Sequence, residues 1–590
     1  MTSADDDLGG HSADNPERPS TRDPAGAVVD LTARPQRTIR TLIPILSWLP
    51  RYDWGKNTAR DLIAGVALAA LMIPESLGYA GLAGVPAEFG LYAALAAIVA
   101  YALTGGTSIL VVGPASAVAA LTASIIAELG GDTDPVVLAA ALATTSGILL
   151  LIAGILRMGW IVNFISRPVL EAFVAGLSIS IIIGQLDGLL GTEVEGDSAI
   201  AELVDLLTNI DAWDALTAAM GVGAIVVLLL LEQFAPKVPA ALLVVAVGIV
   251  LVAVLGLADE GVAVVGEVPT GLPDLSLPDL SREQWLELFG SAFALVLVGL
   301  SEGYAATSEV AEHTGERVDP DQELIGAGAA NLAAGFAGGI AVSGSLSKSA
   351  ASRAAGARTQ MANLAAGVVV LATLLFLAPV FEDLPEPVLA AVVIVAVLGP
   401  ANPRRVANLW SVNRFDFVAG ITTFVLVLTW EALQAMIVGV ILSLAFVVRR
   451  ASFPDVVELG RSSDGKLVST NTDPTITTAA DHAAVLRFDA PLIYANADRF
   501  TSAATALVAR RSGIDRLILD AEVIADLDAT GAEHLADLDD RLADKGITLV
   551  VARVHRGARE QIARSHLRQR FDGRVYADLD AAIAAEDESP

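Results

Sequence analysis

The chain of 590 residues contains no cysteine. Disulfides, thiolate nucleophiles and cysteine-ligated metals are therefore excluded. Histidine is scarce: His11, His313, His482, His534, His555 and His566 are the six. All fall in expected tails, loops or the C-terminal region, and no two share an apolar segment at metal-ligand spacing, so no metal is expected. Positive charge is thin. Lys and Arg number 37 against 67 Asp and Glu, a formal net charge of −30, which argues against a nucleic-acid partner. Neither a nucleophile–base pair nor a phosphate-binding loop stands out, so neither an enzyme nor a cofactor is expected. No apolar stretch precedes about residue 40, so a signal peptide is not expected.

What is present is apolar. Hydrophobic residues make up 54% of the chain, mean hydropathy is +0.61, and the 18% of residues that are charged are clustered. Long apolar runs of about 20 residues cross the hydrocarbon core, so a polytopic α-helical membrane protein is expected. The 51 glycines and abundant alanine suit close helix packing in lipid. Fourteen segments are expected between 62 and 450: 62–82, 89–104, 109–128, 136–156, 169–190, 214–233, 238–257, 286–312, 322–338, 345–357, 360–379, 386–399, 416–430 and 432–449. The third, tenth and twelfth are too short to cross alone.

Charge orients the segments. With a cytosolic N-terminus, the even-to-odd connections hold Arg157, Arg167, Lys237, Arg317, Arg353, Arg358, Arg404, Arg405 and Arg414, and Arg449 and Arg450 follow the last segment. The opposite loops hold one basic residue, Arg282, and many acids, among them Glu128, Asp132, Asp134, Glu193, Glu195, Asp197 and Asp383. This asymmetry places both termini in the cytosol. Residues 1–36 read as a disordered cytosolic tail, 37–450 as a transmembrane transport domain, 451–481 as a linker leading into the last domain, and 482–590 as a small cytosolic α/β domain with a short tail. Within the last, strands are expected at 484–489, 491–497, 515–523 and 547–554, alternating with helices at 498–511, 528–546, 556–567 and 577–586.

Two stretches carry the same oddity. IPESLGYA (73–80) and GLSEGYA (299–305) each put a glutamate, Glu75 or Glu302, inside an apolar segment. A carboxylate near mid-membrane costs about 2.5–3.5 kcal/mol on insertion scales, so its default reading is functional. A Gly/Pro/Ser-rich run follows each at similar distance: VVGPASA (111–117) and AVSGSLSKS (341–349). Two such units suggest an internally duplicated transporter with its site at the repeat interface.

The landmarks DLIAGVALAALMIPESLGYA, GPASA, ISRPVLEAFVAGLSISIIIGQL, VGEVPTGLP and GSLSKSAASRAAGARTQ, in this order, resemble the sulphate permease (SulP) family of anion transporters, a resemblance that covers nearly all of 40–585. LIYANADRF and ILDAEVIADLDATGAEHL resemble a STAS domain. The resemblance implies a seven-plus-seven inverted repeat with core and gate domains, a homodimer in the plasma (bacterial inner) membrane, elevator-like movement, and a site between the third and tenth helices. Sulphate is the family's eponymous substrate; bicarbonate, dicarboxylates and an uncoupled channel or exchanger are the alternatives.

At such a site an anion needs substitutes for lost water, and helix N-termini supply unpaired N–H groups and a partial positive charge. Ala115 and Ser116 follow Gly113-Pro114 at the expected start of the third segment. Ser345, Leu346 and Ser347 open the tenth, where serine is a preferred cap. Lys348, one step in, is expected either to set the field at the anion or to snorkel to cytosolic water. Glu302 is the expected proton-coupling group, because a carboxyl removed from water exchanges protons more readily; pairing with Lys348 is its structural alternative. Glu75 follows Pro74 in an expected break of the first segment, as a second proton site or a partner for broken backbone. Tyr79 and Tyr304 could donate to substrate or pack between helices. Sodium-coupled relatives are similar in having a threonine four residues after the acid; here position 306 is Ala and Thr307 comes one step later, which favours protons over sodium. Gln185, Asn163 and Asn331 are expected to bond between helices. In STAS relatives that act as phosphorylation switches a serine follows the helix-capping Asp; here Ala529 follows Asp528, so that switch is not expected, and the domain is read as supporting assembly or binding a cytosolic partner.

Overall fold

The computed structural model describes residues 39–585 except 130, 132, 161–165, 193, 195, 197, 236, 237, 400–402, 431, 472–475 and 512. The expected N-terminal tail, Asn163, Lys237, Asp132, Glu193, Glu195 and Asp197 lie outside the described residues.

Every expected membrane segment is helical. We number them α1 (Thr58–Leu82), α2 (Ala87–Thr104), α3 (Ser116–Leu129), α4 (Pro135–Ile155), α5 (Arg167–Gly184), α6 (Ala215–Phe234) and α7 (Ala240–Leu255) in the first half. The second half holds α8 (Arg282–Thr314), α9 (Pro320–Phe336), α10 (Leu346–Ala354), α11 (Met361–Ala372), α12 (Glu386–Leu398), α13 (Arg414–Thr429) and α14 (Ala432–Ser452). Among the described residues eight helical spans are long and apolar enough to cross a membrane, while α3, α7 and α12 are shorter apolar helices. α10, at nine residues, spans about 14 Å at 1.5 Å per residue, half the hydrocarbon core.

Packing sorts the helices into two groups, each drawn from both halves. α1, α2, α4, α9 and α11 pack on one another, with α8 against α4 and α10 against α1 and α8. The second group pairs α6 with α12, α5 with α13 and α14, and α13 with α14. Small residues permit this closeness: a Cβ on Gly147 of α4 would sit 2.5 Å from the Leu332 nitrogen of α9, so glycine there is a condition of the α4–α9 contact.

α1 is continuous, with Pro74 inside it. The expected break at Pro74 is therefore corrected. The ring removes one backbone bond, but both flanks of the helix are buried, and surrounding helices hold the turn that an isolated segment would lose.

Two short strands stand where the Gly/Pro/Ser runs were noted. β1 (Val111–Gly113) and β2 (Ser343–Ser345) pair antiparallel, with Val111 opposite Ser345 and Gly113 opposite Ser343. They satisfy each other's backbone groups where neither half-helix can.

α14 runs into the C-terminal domain. Its sheet has the order β4-β3-β6-β7-β8-β9, with β5 beside β3. The strands are β3 (Val456–Arg461), β4 (Leu467–Ser469), β5 (Thr477–Thr478), β6 (Ala483–Phe488), β7 (Arg516–Asp520), β8 (Thr548–Ala552) and β9 (Val575–Tyr576). The parallel β6–β9 are crossed by α15 (Ala497–Arg510), α16 (Ala529–Ala543) and α17 (Arg556–Arg564). The expected strand at 491–497 is a turn instead. The Asn496 side chain accepts from Ile493 N at 3.0 Å and donates to Pro491 O at 3.0 Å, a local alternative to strand pairing that outweighs the apolar pattern.

Candidate functional site

Each half-helix begins where its strand ends. Ser345 closes β2 and caps α10, its Oγ accepting from Lys348 N at 3.3 Å. Gly113 closes β1, Pro114 and Ala115 follow, and α3 starts at Ser116. Because the strands are antiparallel, the two helix N-termini lie at opposite ends of one three-residue ladder, about 7 Å apart along it. Residues 113–117 and 344–348, separated by more than two hundred positions, thus form one cradle.

Lys348 is at its centre and is 1% exposed. Its Nζ lies 2.6 Å from Glu75 Oε2 and donates to Pro114 O at 2.9 Å. It also lies over the Tyr79 ring, 5.0 Å from the centroid. One ammonium therefore ties α10 to α1 and to the entry of α3. The contact with Glu75 is electrostatic rather than an aligned hydrogen bond, since Oε2 has no geometrically correct donor. Of the alternatives the sequence left open, two are not what the structure holds: Lys348 does not snorkel to water, and its ion-pair partner is Glu75, not Glu302. The desolvation of an ammonium at mid-membrane is offset only by a partner this close.

Glu302 takes another partner. Its Oε2 accepts from the Ser343 hydroxyl at 2.9 Å, and the side chain is half-buried. Its neighbour Gly303 meets Gly344 so closely that a Cβ on Gly344 would lie 2.8 Å from Gly303 Cα. Two glycines therefore set the distance of the carboxyl from the cradle. Thr307 Oγ1 donates to Gly303 O at 2.7 Å within α8.

The remaining named residues fall around this centre. Ser116 is half-buried and Tyr79 is buried. Ala115 is buried, while Leu346 and Ser347 are exposed. Tyr304 is not in the cradle: it lines a cavity of about 40 Å³ behind β2, with Ser343, Asn331 and Glu323.

Several fixing residues had no sequence signal beyond being polar in apolar company. Asn331 bonds not between helices but to the strand entering the cradle. Its amide donates to Val342 O at 2.8 Å and its carbonyl accepts from Val342 N at 3.0 Å. Gln360 and Asn363 hold the other strand by donating to Leu110 O at 3.0 and 2.7 Å. Ser349 Oγ accepts from Val111 N at 2.9 Å. Buried Asp61 accepts from Arg358 N at 2.7 Å and Thr359 Oγ1 at 2.8 Å, fixing the turn after α10.

A vestibule of about 520 Å³ runs between the two helix groups. Glu75, Ala351 and Ala355 line one wall, and Leu228, Glu232 and Val392 the other. The α7 start and the α10 and α12 ends contribute to it, so it opens on the side where α14 ends.

The chain matches the sulfate permease family over residues 59–423 and the STAS domain over 474–582. This chain belongs to the sulfate permease family. Permeases are transporters, and this one is not an enzyme. A "Probable sulfate transporter" of Mycobacterium tuberculosis is 31% identical, over 89% of the permease and 94% of that protein. The Arabidopsis thaliana protein "Sulfate transporter 4.1, chloroplastic" is 28% identical, over 89% and 80% respectively. Among solved structures, murine Slc26a9 in an inward-facing state superposes with a TM-score of 0.86 at 22% identity, over 92% of the permease and 94% of that chain. The transmembrane domain of the cyanobacterial bicarbonate transporter BicA gives 0.57 at 22%, over 67% and 98%. The permease thus has the helical membrane fold of these transporters and a STAS domain behind it.

Proposed function

We propose that this protein moves a small inorganic oxyanion of the sulphate kind across the plasma membrane together with protons, as a homodimer with both termini in the cytosol. The observation that carries the reading is the cradle: two helix N-termini on one ladder, with a lysine whose charge is already balanced by Glu75. Each N-terminus presents roughly half a positive charge. With Lys348 and Glu75 cancelling, the two termini sum to about one positive charge, which ionised Glu302 offsets and protonated Glu302 leaves free. Anion and proton then favour each other's binding, and linkage makes the effect reciprocal. Ser116, Ser345, Ser347 and Tyr79 supply hydroxyls around the same point, and Ala115 and Leu346 supply backbone. Glu75 serves as Lys348's counter-ion; as the second proton site it would, on taking a proton, release the Lys348 charge to the anion.

The names of the relatives support sulphate, and BicA's support bicarbonate as the second reading. Position 306, four residues after Glu302, is Ala and offers sodium no side-chain oxygen, which favours protons. Movement follows an elevator: the β1–β2 ladder binds both half-helices to the α1–α4 and α8–α11 group, the core of a seven-plus-seven inverted repeat, and the vestibule separates this group from the gate. The test is radiolabelled sulphate uptake into proteoliposomes, with bicarbonate, chloride and dicarboxylates as competitors, at equal and unequal pH. Acid outside accelerates uptake, and Glu302→Gln, which still accepts from Ser343, removes the acceleration. Uptake indifferent to the pH gradient in the wild type, or acceleration surviving in Glu302→Gln, refutes the coupling.

A further inference from the structure

Where α13 and α14 meet at the end nearer the STAS domain, a cavity of about 440 Å³ opens. Arg449, Arg450, Asp416, Phe415, Phe446 and Phe453 line it. The arginines are exposed in the last turn of α14. Arg449 lies over Phe415 and Phe453 at 4.9 and 5.5 Å, and among the described residues neither arginine has a carboxylate partner. An interfacial arginine ordinarily needs only water and the helix C-terminus. Here two of them, adjacent in sequence, line one walled pocket whose floor is built, with Ser166 N donating to Ser443 Oγ at 3.1 Å and Asn413 capping α13 through Phe415 N at 2.9 Å.

Charge and shape specify the occupant. Two guanidinium groups less the Asp416 carboxylate leave one net positive charge, the complement of a phosphodiester. Phe415, Val447 and Phe453, which line the cavity, are themselves exposed, so its mouth is apolar. These side chains offer an acyl chain an apolar surface beside the headgroup. We propose that this cavity binds the headgroup of a monoanionic glycerophospholipid of the cytosolic leaflet.

The position gives binding a consequence. Phe453 leads into the STAS domain, and α15 holds this same connection: Arg499 Nε donates to Pro454 O at 2.9 Å and Asn496 Nδ2 to Ala451 O at 3.0 Å. A bound lipid stiffens the joint between the two domains.

The test uses the purified full-length protein in detergent, titrated with phosphatidylglycerol or phosphatidylcholine and read by native mass spectrometry and melting temperature. Phosphatidylglycerol stays bound and raises the melting temperature; phosphatidylcholine does neither. Each arginine near an anionic headgroup contributes about a fivefold preference, so Arg449→Gln with Arg450→Gln weakens phosphatidylglycerol binding about 25-fold, and the corresponding double lysine variant retains most of it. Equal behaviour of the two lipids, or undiminished binding by the glutamine variant, overturns the proposal. So does an equal melting shift with inorganic phosphate, which would mark a soluble-anion site. A glutamine variant that alters only the dimer fraction would mark a protein interface and overturns it too.

Discussion

Replacing Lys348 by Met leaves the Glu75 carboxyl, 7% exposed, without its counter-ion. At 2.6 Å and an effective dielectric of about 20, the pair's gross attraction is about 6 kcal/mol. Desolvation takes back several kcal/mol per ion, so the pair's net contribution is near zero. Removing one partner is different, because it strands a buried charge and costs about 3–5 kcal/mol. Glu75→Gln strands Lys348 in the same way. The double variant Glu75→Gln/Lys348→Met strands neither. It should recover most of the thermal stability that each single variant loses, a coupling of at least about 2 kcal/mol in the cycle. Melting of the four proteins in one detergent measures this, and sulphate uptake by the double variant then reports whether charge at 348 matters beyond folding. Additive losses would refute the assignment of Glu75 as the counter-ion and leave the cradle's charge balance without its basis.

Further outcomes follow from the same geometry. Gly344→Ala places a Cβ 2.8 Å from Gly303 Cα; backbone cannot yield as a side chain would, so α8 shifts off β2 and uptake falls at least tenfold while the protein still inserts, measured by transport per unit of folded protein. Asn331→Leu leaves both Val342 backbone groups buried and unpaired, costing about 1–3 kcal/mol for each, visible as a lower melting temperature and as faster amide exchange at 342–345. Glu302→Gln uncouples uptake from the pH gradient without lowering the melting temperature, because the Ser343 bond persists.

The membrane helices were legible because hydrocarbon thickness and backbone satisfaction leave few alternatives, and the half-helices because Gly-Pro and serine-rich runs announce a helix start. The two glutamates stood out for the same reason, being costly where they are. Partner choice was not legible. Lys348 lies nearer in sequence to Glu302, yet α10 packs on α1 and hands it Glu75. Asn331 looked like a bond between helices, but its amide matches both backbone groups of a single residue, so it clamps Val342. Pro74 and the 491–497 segment misled through local rules, a ring that breaks isolated helices and an apolar run that reads as a strand, each outweighed by neighbours that only the folded chain brings near.

Val111 pairs with Ser345, 234 residues further along. At 5–20 residues per second of synthesis, the first strand has no partner for about 10–50 s after it leaves the ribosome. Its bare amides must be sheltered by the insertion machinery for that interval, so biogenesis of this protein is slowest, and most open to error, at the very point where its cradle is to form.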